Sequence, residues 1–141
     1  MPFESLIFLL TAFTIAIPFL ITMTKCLDQI SAENRRISRW QLWLNLIPVF
    51  NCFWVFVTAY RFFLSVRAEM RARSAHASKA TATLGLITST LFAGFVAALP
   101  FAIWNTLMFF VWILALALYW KEIVLRLVWM IQNPAPSDYS G

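Results

Sequence analysis

The chain is short of charge, glycine, cysteine and histidine, and each shortage removes a class of protein. Charged residues make up 12% of 141, well under the roughly one quarter usual in soluble globular domains. Three glycines are too few for the turns of an alternating-strand barrel, and the apolar residues come in runs rather than with period two. Cys26 and Cys52 have no metal-ligand spacing, and His76 has no histidine partner. Neither a zinc site, a redox dithiol nor a bound cofactor is expected, and both thiols read as small apolar packing groups. The six acidic residues all lie near the ends of apolar runs, and no nucleophile has an evident base beside it. No catalytic residue can be named, and an enzyme is not expected.

What is present is apolar length. Sixty-two per cent of the residues are hydrophobic and 17% aromatic, in runs that point to an all-α integral membrane protein. A single helical domain over 1–132 and a disordered Pro- and Ser-rich tail over 133–141 are expected. The net charge of +5 could suggest nucleic acid, but the basic residues flank apolar runs instead of forming a patch of their own. Membrane topology explains them better. Met-Pro-Phe-Glu4 has no basic leader and no small-residue cleavage site follows, which argues against a removed signal peptide.

Three runs read as transmembrane helices. Ser5 to Thr24 is about twenty residues, enough for a ~30 Å hydrocarbon core. Its Thr11, Thr14, Pro18 and Thr22 share one small polar face, suited to packing on another helix or lining a pore. In the run from Thr81 to Ala98, the residues Thr81, Gly85, Ser89, Ala93 and Ala97 recur every four positions, with Thr90, Gly94 and Ala98 as a second row. Such rows let backbones approach closely and mark a packing helix. Pro100 ends it in a tight antiparallel turn. The run from Ala102 to Trp120 closes on Tyr119-Trp120-Lys121, a boundary anchor, and helix is expected to continue or lie in the interface to Ile131. Trp40, Trp43, Trp54, Trp104 and Trp120 read as interface aromatics.

Between the first two of these runs lies the segment Trp40 to Tyr60, apolar enough to enter a bilayer yet carrying Pro48 between Asn45 and Asn51. Pro48 donates no N–H, crowds the Leu44 carbonyl and pushes Ile47 out of helical geometry. In hydrocarbon such a break survives only where protein or water re-satisfies the backbone. The segment is therefore either a kinked fourth span or a broken, re-entrant hairpin. Asn51, Thr58, Arg61, Ser65 and Glu69 follow as one helical stripe. Arg61 either snorkels or faces a polar pathway or a buried partner, such as Glu69 of a neighbouring chain. The connector from Lys25 to Arg39 reads as a solvated loop at headgroup level, and Arg67 to Lys79 as an exposed helix end and linker.

Charge bears on the choice. If the segment is re-entrant, all eleven basic residues share one face, the cytoplasmic one. If it spans, some must go outside. The bias favours three spans plus a hairpin, over a four-span bundle. Three spans cannot fully jacket a broken hairpin, so shelter from a second chain is expected, with the small-residue rows as its surface.

The pattern Glu33-Asn34-Arg35, Trp40, Trp43-Leu44, Leu46-Ile47-Pro48-x-Phe50-Asn51-x-x-Trp54-x-Phe56, then Ser65 and Glu69, resembles a widespread group of small bacterial multi-spanning membrane proteins. The resemblance covers about residues 25 to 70 and implies no activity. It implies a bacterial inner membrane and singles out Asn34, Arg35, Pro48, Asn51, Trp54 and Glu69. Two functions compete. One is an accessory or scaffold subunit whose partners are the lipid bilayer, copies of itself or a larger membrane complex. The other is a small homo-oligomeric channel or transporter with Asn45, Asn51, Thr58 and Arg61 lining the pathway.

Overall fold

The computed structural model describes residues 3–75, 79–98 and 100–134. They form five α-helices and two 3₁₀ turns, with no strand among the described residues. Helix α1 is Phe3–Asp28, α2 the single turn Arg39–Trp43, α3 Pro48–Ala72, α4 Ala80–Ala97 and α5 Ala102–Gln132. The 3₁₀ turns, Ala32–Asn34 and Leu44–Leu46, lie on either side of α2. Three stretches are long and apolar enough to cross a membrane: Leu6–Asp28, Ala80–Ala97 and Ile103–Gln132. The chain is thus an all-helical membrane protein. His76, Leu99 and the tail from Ala135 onward lie outside the described residues.

The order of the helix ends follows from cross-links between them. Ser31, just past α1, donates to Glu69 near the end of α3. Thr81, at the start of α4, donates to Glu122 in the last third of α5. The C-termini of α1, α3 and α5 and the N-terminus of α4 therefore meet at one end of the bundle. Arg39, which opens α2, pairs with Asp28 at 2.7 Å at that same end. Between Arg39 and Glu69 the chain leaves this end and comes back to it. Its turning point is Ile47, at φ −86° and ψ 109°, outside helical geometry. Pro48 then stands in the first turn of α3, where its missing N–H would have had no helical partner.

Two apolar clusters fill the bundle. One, toward the shared end, gathers Leu20, Met23, Leu27, Phe62, Val66 and Met130 among its buried members. The other, toward the Pro100 turn, is largely aromatic, with Phe92, Phe95, Phe109 and Trp112 at centroid separations of 5.5–6.2 Å. Lipid is as apolar as these side chains, so close packing rather than escape from water holds the helices together.

Helix α4 lies against both α3 and α5 through its first small-residue row. A Cβ at Gly85 would come within 3.1 Å of the Tyr119 ring and 3.3 Å of Ala59. Ser89 Oγ reaches the Val55 carbonyl at 3.4 Å. Thr81, Gly85 and Ser89 are buried, whereas Ala93 is half-buried and Ala97 exposed. The row assigned above to an intermolecular surface is thus largely spent inside the chain. Helix α1 departs from expectation in the opposite sense. Thr11, Thr14 and Pro18 face outward, and both threonine hydroxyls bond back to carbonyls four residues earlier. Its packing face is instead Ala12, Leu20 and Met23. Back-bonding satisfies a threonine hydroxyl locally, so the larger apolar side chains take the interior.

Candidate functional site

Two polar constructions stand out from this apolar frame, one at the shared end and one in the middle. The first is built on Glu69, whose residue is 1% exposed. Its position follows from the stripe Asn51, Thr58, Ser65 and Glu69, all buried on the inner face of α3. Oε2 accepts from the Ser31 backbone N–H at 3.0 Å and from Asn34 Nδ2 at 2.8 Å. Oε1 accepts from Ser31 Oγ at 3.0 Å and from Arg73 Nε at 2.9 Å. Burial pushes the carboxyl pKa up, but the donors Asn34, Arg73 and Ser31 outweigh it and hold Glu69 below the usual glutamate value. With both oxygens engaged by fixed donors, Glu69 is suited to clamping and not to carrying protons.

Arg73 completes the clamp. Its side chain is 6% exposed. Besides Glu69, it donates from Nη1 to the carbonyls of Met130 at 2.8 Å and Asn133 at 2.5 Å, and from Nη2 to Gln29 at 2.5 Å. One planar guanidinium therefore ties the ends of α1, α3 and α5, a task that fits its fixed fork of donors. The backbone delivers it there. Ala75 N–H bonds to the Met70 carbonyl and Ser74 N–H to that of Arg71, with Ser74 at φ 59°. This is a Schellman ending, and it makes Arg73 the C-cap of α3.

The connector is equally organised. Ile30 and Ile37 are buried, Arg35 Nε donates to the Ile30 carbonyl at 2.8 Å, and the Arg36 N–H donates to Ser65 Oγ at 2.7 Å. The connector keeps Asp28, Glu33, Arg36 and Arg39 exposed and the helix end keeps Arg71 and Ser74 so, as composition suggests, but Ile30, Ile37 and the Arg73 side chain are held inside. Arg61 is exposed and leaves the buried stripe. It lines an open basic groove with Arg35, Arg36, Arg39, Trp40 and Gln41. A long cationic chain at a helix flank reaches polar surroundings more cheaply than a buried site without a counter-charge. Glu69, its suggested partner from another chain, is engaged within this one.

The second construction lies at the break. Asn45 Nδ2 donates to the Leu42 carbonyl at 2.7 Å and to Thr58 Oγ1 at 3.0 Å, tying the stretch before the Ile47 turn to α3. Trp54 Nε1 adds a third tie, to the Gln41 carbonyl at 2.8 Å. Trp54 is half-buried, while Trp40 and Trp104 are exposed and Trp43 moderately so. Trp120 is half-buried and donates to Thr22 Oγ1 at 3.0 Å.

Where the hairpin meets α1, α4 and α5, a partly enclosed cavity of about 70 Å³ remains between the two apolar clusters. Asn45, Asn51, Thr58, Thr88, Ser89 and Tyr119 give it its polar groups. Asn45 Oδ1, Asn51 Oδ1, Thr88 Oγ1 and Tyr119 Oη, on four of the lining residues, are buried with no hydrogen-bond partner among the described residues. Thr88 missed notice in the sequence because it belongs to neither small-residue row. Its hydroxyl is distinctive only in three dimensions: Thr11, Thr14, Thr22, Thr24, Thr83 and Thr90 all bond back to carbonyls four residues earlier, and Thr88 does not.

Among the described residues no group of three or more His, Cys, Asp or Glu side chains could hold a metal. The arrangement offers neutral hydrogen-bonding groups in the interior and cationic groups at one end. No protein-family profile, curated protein or solved structure matches the chain.

Proposed function

We propose that the protein is a non-enzymatic membrane module that works in company, as a homo-oligomer or as an accessory or scaffold subunit of a larger membrane complex. The observation that carries this reading is the uncovered outer flank of the helix break: Ile47 is 49% exposed, Phe50 43% and Phe53 81%. On this reading residues 39–72 form a re-entrant hairpin. Irregular backbone in hydrocarbon is tolerated only where protein or water covers it. Helices α1, α4 and α5 cover the inner flank, and a neighbouring chain covers the outer one. Arg35, Arg36, Arg39, Arg73 and Arg126 lie toward the end where the helix termini meet, and the positive-inside bias makes that end cytoplasmic. The resemblance of residues 25–70 to small bacterial membrane proteins supports an inner-membrane location.

The test is copurification from native membranes with mass measurement of the intact assembly. More than one chain per particle is expected. A monomer both in mild detergent and in lipid contradicts the proposal.

A channel or transporter is the second reading, favoured by the cavity beside the break, since broken helices with polar groups at depth commonly frame solute sites. Arg61 faces the basic groove and not this cavity, so an anion preference has no support. Flux through purified protein in liposomes separates the two readings.

A further inference from the structure

We infer that the cavity beside the Ile47–Pro48 break is a binding site for a small uncharged molecule rich in O–H or N–H donors, water being the smallest member of that class. The inference deepens the solute-pathway reading of the same cavity, but occupancy and flux are separable and are measured separately below.

The chemistry follows from what is left unpaired. Asn45 Oδ1 and Asn51 Oδ1 can only accept, while the Thr88 and Tyr119 hydroxyls can accept or donate. Each of these residues is more than nine-tenths buried, at 8%, 7%, 5% and 3% exposure. A buried polar atom without a partner costs free energy, and four on residues that line one cavity are rarely left so. An occupant must bring at least two donors for the amide oxygens. It must be neutral, because no charged side chain among the described residues lines the cavity and an uncompensated ion at this depth is strongly disfavoured. It must also be small: 70 Å³ admits roughly two to five water molecules, or a solute with about that many heavy atoms. A wholly apolar occupant suits the chiefly apolar wall but leaves all four groups unpaired. The break contributes directly, because the turn at Ile47 brings Asn45 and Asn51, six positions apart in sequence, to one cavity.

Two isosteric variants read occupancy through the sign of their effect. In an empty cavity Thr88→Val and Tyr119→Phe each remove an unsatisfied group, so the melting temperature of the protein in nanodiscs rises. With an occupant each removes a used hydrogen bond, and the melting temperature falls by several degrees. The second readout is water-edited solid-state NMR of the Asn45 and Asn51 side-chain amides in the full-length protein, followed by titration with acetamide, urea and sodium chloride. Transfer from water alone identifies water as the occupant. Saturable shifts with acetamide or urea, lost in Thr88→Val, identify an exchangeable solute. Either result, with lowered melting temperatures, supports the site even if liposome flux is silent, which would sink only the pathway reading. Raised melting temperatures with no water transfer, or saturable shifts caused by sodium, overturn it.

Discussion

Asn34 reaches the Glu69 carboxylate at 2.8 Å across thirty-five positions of sequence. The contact brings the connector after α1 onto the last turns of α3. It belongs to a clamp in which Glu69 collects donors and Arg73 passes its own donors on to the ends of α1 and α5. The segment between Arg39 and Glu69 is thereby tied down at both of its ends, with the Ile47 turn between them.

The Glu69–Arg73 pair is buried on both sides, so removing one partner strands the other. Glu69→Gln keeps the shape and removes the charge, and it is expected to destabilise the fold by about 3–5 kcal/mol. Arg73→Lys is expected to cost nearly as much as Arg73→Gln, because an ammonium cannot reproduce a fork that serves Gln29, Met130 and Asn133 together. Thermal unfolding in one fixed lipid nanodisc checks both. By contrast Arg39→Gln, which breaks an exposed pair with Asp28, should shift stability by less than about 1 kcal/mol.

The same carboxylate gives a pH dependence of definite sign. Its folded pKa lies below the ordinary 4.5, so the folded state favours the ionised form. That stabilisation is complete above the ordinary value and is lost as pH falls through the depressed folded one. Melting temperature attributable to Glu69 should therefore be level from neutrality down to about pH 5 and decline below it. The difference between wild type and Glu69→Gln should shrink over that acid range. A difference that stays constant to pH 3 contradicts the assignment.

The two small-residue rows of α4 should respond differently to one added methyl. Gly85→Ala drives a Cβ to within 3.1 Å of the Tyr119 ring and 3.3 Å of Ala59, and overpacking of this kind costs about 1–3 kcal/mol. Among the described residues Gly94 has only Met108 Sδ near, at 3.8 Å, an ordinary contact with a flexible side chain. Gly94→Ala should be neutral or stabilising by up to about 1 kcal/mol through helix propensity. Unfolding measurements on the pair distinguish a tight crossing from a loose one.

Ser74 holds φ 59° at the end of α3, a left-handed conformation that costs a residue with a Cβ roughly 1–2 kcal/mol. Ser74→Gly should raise stability by a few tenths to about 1 kcal/mol, offset in part by the added freedom of the unfolded chain. Ser74→Val should lower it and loosen Arg73, which the same turn positions. Proteolysis rates at the helix end, compared with the melting temperature, read both effects.

The three apolar helices, the departure of Ile47 from helical geometry and the recurrence of Asn51, Thr58, Ser65 and Glu69 on one buried face of α3 were legible in sequence, because each depends on local composition or on one helical period. Arg73 was not. It sits in a run of charged and small residues, and its burial depends on carbonyls supplied by Gln29, Met130 and Asn133, which adjoin it only after folding. Trp54 looked like its interfacial neighbours until the hairpin folded and brought the Gln41 carbonyl to its indole. Arg61 matched the stripe by spacing, yet sequence register cannot tell a long side chain that lies along a flank from one that points inward. The cavity was hidden for a related reason: an unpaired hydroxyl such as that of Thr88 is a property of an assembly, not of a residue.

On the proposed topology the chain leaves and regains one face of the membrane between Arg39 and Glu69, with the Ile47 turn farthest from it. Cysteine labelling decides the matter. In a background lacking Cys26 and Cys52, Ser38→Cys and Arg71→Cys are exposed to a membrane-impermeant thiol reagent, first in spheroplasts and then in inverted vesicles. Both positions are expected to react from the same side, the cytoplasmic one. Labelling of the two positions from opposite sides would mean that the segment crosses the bilayer, and would contradict it.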